Sequence, residues 1–316
     1  MPVRKESLAA AAAGAVALAL AAAAVLAAGP RRPSPPTPRI LEENVELGGL
    51  KVTVWSEASP AAGRQPVLLF SHGFHGCSTQ SEFLMDALAA DGYLVFAPNH
   101  SDATCNGGQA RWTDPPEEPF ADPQAWSDAT FAGRRQDMQT LAAAIASDPS
   151  FGPRADFSRL AVAGHSLGGY TVLGLGGAWP SWNLPGVRAV LALSPYDQPF
   201  LVHETLGGLA APVMYQGGTL DLGITPSIEK PDGGYDASPR PKYFAELFGA
   251  GHLAWTNLGP LAPRADIVAD GVAFLDRYVN GAPAAPVLTQ PQPGVFLLRY
   301  DSELGDNGNG QRGGRR

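Results

Sequence analysis

A serine stands between two glycines in the sequence Gly164-His-Ser-Leu-Gly168. An apolar run ends just before this motif and a helical pattern follows it, which predicts the sharp strand-to-helix turn called a nucleophile elbow. Residues two before and two after the serine would collide on such a turn unless both were glycine. A serine hydroxyl is a useful nucleophile only when a base removes its proton. Ser166 is therefore the predicted nucleophile.

The base is expected to be a histidine downstream of the serine, because that is the chain order of this arrangement. Two histidines qualify, His203 and His252. His203 falls in a segment expected to be helical, where a solvated surface position is the better interpretation. His252 comes directly after the apolar segment Tyr243–Phe248, the expected last parallel strand. His252 is therefore the predicted general base.

The acid that orients the base should lie on a neighbouring loop. Asp221 follows a predicted strand over Ala211–Gln216, one strand away from the loop of His252. Asp197 ends the preceding strand and is the alternative. Either aspartate could instead cap a helix or bond its own loop. The spacing favours Asp221.

Two backbone N–H groups are needed to hold the oxyanion of a tetrahedral intermediate. Leu167, directly after the serine, should give one of them. Phe74, in the loop after the strand Val67–Ser71, should give the other. A competing interpretation makes His72 and His75 metal ligands, but a metal site needs more partners than these. We expect no metal and no cofactor.

Short apolar runs alternate with segments of helical periodicity, which predicts an α/β fold with a mainly parallel sheet and helices on both faces. Only 17 residues separate Pro195 from Val213, so no large lid domain is expected. An antiparallel hairpin is predicted over Asn44–Trp55. The other predicted strands are Val67–Ser71, Tyr93–Ala97, Leu160–Ala163, Val187–Leu193 and Val213–Tyr215, and the predicted helices begin near Thr79, Asp128 and Asp266.

Three segments together resemble the α/β-hydrolase superfamily: Phe70–Phe74 (FSHGF), Arg134–Asp137 (RRQD) and Gly164–Tyr170 (GHSLGGY). The resemblance covers about residues 45–280. It is closest to the branch that contains platelet-activating-factor acetylhydrolases, dienelactone-hydrolase-like proteins and bacterial cutinase-like polyester hydrolases.

The resemblance implies a carboxylic ester hydrolase with Ser166, Asp221 and His252 as its triad. Phe74 and Leu167 would form the oxyanion hole. The expected reaction passes through an acyl-enzyme on short or medium acyl esters. An acyltransferase or a serine peptidase could use the same residues, and a surface binding protein without catalysis is the third hypothesis.

The termini differ from this body in composition. Arg4 and Lys5 precede an uncharged run, Leu8–Ala28, which predicts a signal peptide or membrane anchor over residues 1–28. We favour cleavage and export to the periplasm or the medium, with membrane association only if the segment is retained. A Pro/Arg-rich linker is predicted over residues 29–40, a catalytic domain over 41–280 and a partly disordered tail over 281–316. The apolar patch Val295–Leu298 could add a strand within that tail.

Cys77 and Cys105 follow strands that are neighbours in the fold of the resembling family. Export exposes a protein to oxidising conditions, so a disulfide between them is expected, with two free thiols as the alternative. The segment His100–Ser127 between two strands is long. It is either a wall of the substrate cleft or a solvated loop.

The charge of −8 for the whole chain hides an uneven distribution. Residues 41–280 contain 13 basic and 26 acidic side chains, a net charge of −13. A nucleic-acid binder needs a concentrated basic face, so that class is excluded. Anionic substrates would be repelled, which favours neutral or zwitterionic, lipid-like esters. We expect the protein to act as a monomer on a small molecule.

Overall fold

One eleven-stranded sheet runs through the residues that the computed structural model describes, which are 38–105, 108–308 and 310–313. Its strands are β1 (Ile40–Leu47), β2 (Leu50–Glu57), β3 (Gln65–Ser71), β4 (Leu94–Pro98), β5 (Ala155–His165), β6 (Val187–Leu193), β7 (Val213–Gly218), β8 (Lys242–Leu247), β9 (Val295–Ser302), β10 (Gly305–Asp306) and β11 (Gln311–Arg312). Their order is β1-β2-β4-β3-β5-β6-β7-β8-β9-β10, and β11 also pairs with β9. Strands β3 to β8 are parallel, whereas the strands at both edges are antiparallel.

Helices cover both faces of this sheet. They are α1 (Glu82–Ala90), α2 (Ala132–Ser147), α3 (Leu167–Leu173), α4 (Gln198–Val202), α5 (Thr225–Glu229), α6 (Gly234–Ala237) and α7 (Arg264–Leu275). Side chains of β3 alternate between two buried clusters, because successive residues of a strand point to opposite faces. Val67 and Leu69 join the cluster that contains α2 and α3, and Leu68 and Phe70 join the one that contains α1 and α7. The predicted fold class is confirmed.

The connection between β6 and β7 is short, as expected. It holds the five-residue helix α4 and one further turn, Leu206–Gly208. After β6 the chain therefore returns to the sheet within a short connection. Their carboxyl ends stay open on the side where the elbow lies.

The sheet continues past residue 280, the boundary that composition suggested. β9 pairs antiparallel with β8, and β10 and β11 pair with β9. Val295 and Leu298 are 1% exposed because they complete the apolar face under α7. The strand that the apolar patch Val295–Leu298 suggested is therefore present, and it continues to Ser302.

The predicted signal segment 1–28 and most of the predicted linker lie outside the described residues. Among the described residues, none of the helices combines the length and the apolar composition that a membrane span requires.

Candidate active site

Ser166 sits at the apex of a strained turn between β5 and α3. Its φ is 57° and its ψ is −117°, a backbone conformation that side-chain-bearing residues rarely adopt. A Cβ on Gly164 would lie 2.2 Å from the carbonyl oxygen of Gly168. A Cβ on Gly168 would lie 1.9 Å from the carbonyl oxygen of Ser71. The two glycines are thus required by space, and the turn lifts the serine hydroxyl clear of the sheet.

The structure brings together the three side chains that the sequence suggested as a triad. His252 Nε2 lies 2.9 Å from Ser166 Oγ, and His252 Nδ1 lies 3.1 Å from Asp221 Oδ2. The Asp221 side chain is 3% exposed and that of His252 is 37% exposed. The Leu220 N–H donates to the Ala250 carbonyl at 2.9 Å, which joins the loop of the aspartate to the loop of the histidine. In this geometry His252 can accept the proton of Ser166, and Asp221 can orient the imidazole and stabilise its charged form.

Ser194, which follows β6, is a fourth member that sequence reasoning missed. Its hydroxyl donates to the Asp221 carboxylate and lies 2.9 Å from His252 Nδ1. The backbone of Ser194 has a φ of 43°, so the side chain is presented by an unusual conformation. Its contacts fix the carboxylate beside the imidazole. No spacing rule points to this serine, because its partners are 27 and 58 residues away.

The two alternatives considered for the triad lie elsewhere. Asp197 is buried, its hydroxyl partner is Ser227, and burial raises the pKa of its carboxyl to about 7. His203 follows α4 and its Nε2 contacts the Trp126 carbonyl at 2.7 Å, so it is half-buried and not a free surface side chain. Neither residue contacts Ser166 among the hydrogen bonds of the described chain.

The loop after β3 lies against the elbow. A Cβ on Gly73 would lie 3.2 Å from His165 Nδ1 and 3.5 Å from Ser166 Cβ. Phe74 lines the same cavity as Ser166, and Leu167 begins α3 directly behind the serine. Both residues suggested as oxyanion donors are therefore beside the nucleophile.

A buried arginine holds this loop from below. Arg134 Nε and Nη2 donate to the two carboxylate oxygens of Asp102 at 3.0 and 2.7 Å, and its side chain is 1% exposed. Arg134 also donates to the carbonyls of His72 at 2.6 Å and Gly73 at 3.2 Å. Asp102 accepts from the His75 N–H at 3.2 Å. Because C=O and N–H of a trans peptide point in opposite directions, a fixed Gly73 carbonyl also fixes the next N–H, which is that of Phe74.

The local electrostatics determine which of the groups around Arg134 are charged. Burial alone would raise the pKa of Asp102, but Arg134 outweighs it and holds that pKa well below its usual range. Burial, with help from the Arg134 charge, lowers the pKa of His72 and of His100 far below the ordinary value. His72 and His100 are thus neutral, and the ion pair that holds the loop is the one between Arg134 and Asp102.

The interpretation of His72 and His75 as metal ligands finds no support in their contacts. His72 Nδ1 donates to the Gly73 carbonyl at 2.7 Å, and His72 Nε2 accepts from the His100 N–H at 3.1 Å. The His75 ring stacks on Phe74 with centroids 3.8 Å apart. Over the described ranges, no group of three or more His, Cys, Asp or Glu side chains could hold a metal ion.

A cavity of about 670 Å³ opens at Ser166. Trp112 and Phe120 line it, so part of the segment His100–Ser127 does form a wall of the cleft. Cys77 and Cys105 are joined in the same wall, which confirms the expected disulfide. The lining contains no Asp, Glu, Lys or Arg among the residues described.

Comparison with curated proteins finds cutinases. Cutinase 2 of Thermobifida cellulosilytica is 32% identical over 129 residues, which is 40% of this chain and 44% of that protein. Cutinase cut1 of Thermobifida fusca is 32% identical over 129 residues, or 36% of its length. The chain resembles the cutinase-like branch of the α/β-hydrolases. It spans less than half the length of the curated relatives that it matches, and no family model matches it.

Proposed function

We propose that this protein is a serine hydrolase that cleaves carboxylic esters. The observation that carries the proposal is the contact series from Ser166 Oγ through His252 to Asp221, at 2.9 and 3.1 Å, at the mouth of the cavity. Similarity to cutinases supports the same chemistry.

In the proposed mechanism, His252 Nε2 removes the Ser166 proton as the serine oxygen attacks the ester carbonyl. The N–H groups of Phe74 and Leu167 stabilise the oxyanion of the tetrahedral intermediate. His252 then returns the proton to the departing alcohol, and the acyl group stays on Ser166. Water, activated by the same histidine, releases the acid. Asp221 holds the imidazole in the tautomer that the reaction requires.

The substrate class follows from the lining of the cavity. Most of its surface is apolar, and no charged carboxylate, ammonium or guanidinium group faces it among the described lining residues. Leu253 and Leu258 line the rim and are 51% and 82% exposed. Together with the net charge of −13 over residues 41–280, this favours neutral or zwitterionic esters with short or medium acyl chains.

Export is part of the proposal. The basic start and the uncharged run Leu8–Ala28 support a signal peptide, and the disulfide between Cys77 and Cys105 suits an oxidising compartment. Mass spectrometry of protein recovered outside the cytoplasm should show a chain that begins near residue 29. An intact amino terminus would contradict cleavage.

The central experiment measures hydrolysis of p-nitrophenyl esters from acetyl to palmitoyl. Ser166→Ala should lower kcat by at least about 10⁴-fold, because the nucleophile is removed while the fold is kept. Ser158→Ala, a change at a distant exposed serine, is the matched control and should leave kcat unchanged. Full activity in Ser166→Ala would refute the mechanism. Turnover of amides alone would refute the ester assignment, and transfer to an added alcohol in preference to water would show an acyltransferase.

A further inference from the structure

Gln80 lies where three segments of the site meet. Its Oε1 accepts from the Gly73 N–H at 3.0 Å, and its Nε2 lies 3.2 Å from His165 Nδ1. Its backbone carbonyl accepts from the Asn257 N–H at 2.7 Å. One side chain thus joins the loop of Phe74 to the residue before the nucleophile, and its backbone reaches the loop of the catalytic histidine.

The protonation of His165 follows from its partners. His165 Nε2 lies 2.8 Å from the His252 carbonyl, which can only accept, so Nε2 carries the proton. Burial and the neighbouring His252 lower the pKa of His165 to about 3. The neutral ring therefore has a bare Nδ1, which must accept a hydrogen bond. Gln80 supplies it, because its NH₂ donates while its oxygen is occupied by the Gly73 N–H.

The result is a directed series of three hydrogen bonds. It runs from Gly73 N–H to Gln80, from Gln80 to His165, and from His165 to the His252 carbonyl. Gly73 is then held at both ends, since its carbonyl is bound by Arg134. Its position decides where the Phe74 N–H points, and the His252 carbonyl belongs to the residue that acts as base.

We infer that Gln80 is a positioning residue for ester hydrolysis, which sets the oxyanion donor and the general base in register through neutral His165. This inference rests on the proposed function. Gln80 touches no reacting atom and acts through Gly73 and His165. Its amide is suited to this place because the two ends of the series need one acceptor and one donor.

Removing the amide should affect the transition state more than substrate binding. Gln80→Ala should lower kcat for p-nitrophenyl butyrate about tenfold and leave KM within about twofold, since the lost bonds position groups that act on the oxyanion and on the proton. Gln139→Ala is the matched control. Gln139 is a partly buried glutamine that bonds the Trp182 carbonyl away from the cavity, and its loss should leave kcat unchanged.

A second variant separates positioning from simple structural support. In Gln80→Glu the ionised carboxylate can accept from Gly73 but cannot donate to His165 Nδ1. One added proton, shared between the carboxylate and His165, would restore both bonds. A glutamate ordinarily has a pKa of about 4.3, which burial raises. The ratio of kcat in Gln80→Glu to kcat in wild type should therefore rise as pH falls from 8 to 5, whereas the ratio for Gln80→Ala should stay flat.

The outcomes are distinguishable from failure of the proposed function. A fluorophosphonate that labels Ser166 counts active sites in every sample, so that unfolded protein does not enter kcat. If wild type neither reacts with this probe nor hydrolyses esters, the proposed function fails. If wild type does both, and Gln80→Ala keeps full kcat or both variants show the same pH-independent loss, this inference alone is overturned.

Discussion

Two pairs of loops line the cavity, those after β3 and β4 and those after β7 and β8. On the first, called the oxyanion side (residues 72–80 and 100–105), a buried ion pair and a disulfide hold the backbone. On the second, called the leucine side (residues 219–223 and 248–261), the side chains of Leu220, Leu222, Leu258 and Leu261 are between 66% and 82% exposed.

Under the proposed function, this difference corresponds to two tasks. Hydrogen-bond donors for an oxyanion are effective when they are fixed before the reaction, so the oxyanion side needs rigid backbone. An apolar substrate is bound by area removed from water, so the leucine side needs accessible side chains. Asp221 and His252 belong to the leucine side but are held by Ser194 and by contacts between their two loops.

The largest effect is expected from removing the arginine of the oxyanion side. Arg134→Met leaves the largely covered carboxylate of Asp102 without its partner and frees the carbonyls of His72 and Gly73. The free energy of unfolding should therefore fall by about 3–5 kcal/mol. Urea denaturation measures this fall. The neighbouring Arg135, which donates to the Ser181 carbonyl, is the matched control, and Arg135→Met should cost about 1 kcal/mol or less. Equal losses of stability in the two variants would show that the ion pair of Arg134 and Asp102 contributes no more than an ordinary hydrogen bond near the surface.

The sequence predicts well what depends on local pattern. The predicted strand Val187–Leu193 matches β6, and the elbow is recognisable because its glycines and serine are adjacent in the chain. The proximity of Asp221 and His252 to Ser166 is predicted because each follows a strand in a known order, and the structure brings the three side chains together. The ends of β5 are less well predicted, since its first residues are polar and partly exposed.

The features that the sequence does not predict depend on contacts between residues that are far apart in the chain. Gln80 and His165 are 85 residues apart, and Arg134 and Asp102 are 32 apart, so no spacing links either pair. Arg134 appears in a motif that resembles a family, but the motif does not name its partner. Such pairs can be identified only in the folded structure, where the order of the strands brings their loops together.

The free energy of unfolding should depend on pH through α7, the helix that follows the leucine side in the chain. Asp270 on α7 is 2% exposed, its Oδ2 has no hydrogen-bond partner among the described residues, and burial raises the pKa of its carboxyl to about 8. Folding thus favours the protonated form, and the stability that Asp270 contributes is lost as pH rises from about 4 through about 8. Asp270→Asn, neutral at every pH, should be more stable than wild type at pH 9 by at least about 1 kcal/mol and similar to it at pH 4.

Denaturation at both pH values tests this expectation. Asp266→Asn, on the same helix but half-buried, should show the same direction with a smaller change, because burial raises the pKa of Asp266 less. A variant Asp270→Asn that is less stable than wild type at pH 9 would show that the carboxylate is stabilised by its surroundings. Asp270 would then be a stabilised carboxylate like Asp102 of the oxyanion side, and the contrast between an unpaired and a paired carboxylate would disappear.

The smallest effect is expected from the exposed leucines, and it should appear in catalysis without a change in stability. Leu222 and Leu258 are 78% and 82% exposed, so replacing both with Ser should change the free energy of unfolding by less than about 0.5 kcal/mol. Leu258 lines the cavity, and Leu222 precedes Gly223, which also lines it, so we expect a long acyl chain to cover part of both side chains. The value of kcat/KM for p-nitrophenyl laurate should therefore fall about fivefold while that for the acetate stays constant. Leu41→Ser, an exposed leucine on β1, is the control and should change neither value. An equal loss for acetate and laurate would mean that the leucine side shapes the catalytic groups themselves, and the division of tasks between the two sides would not hold.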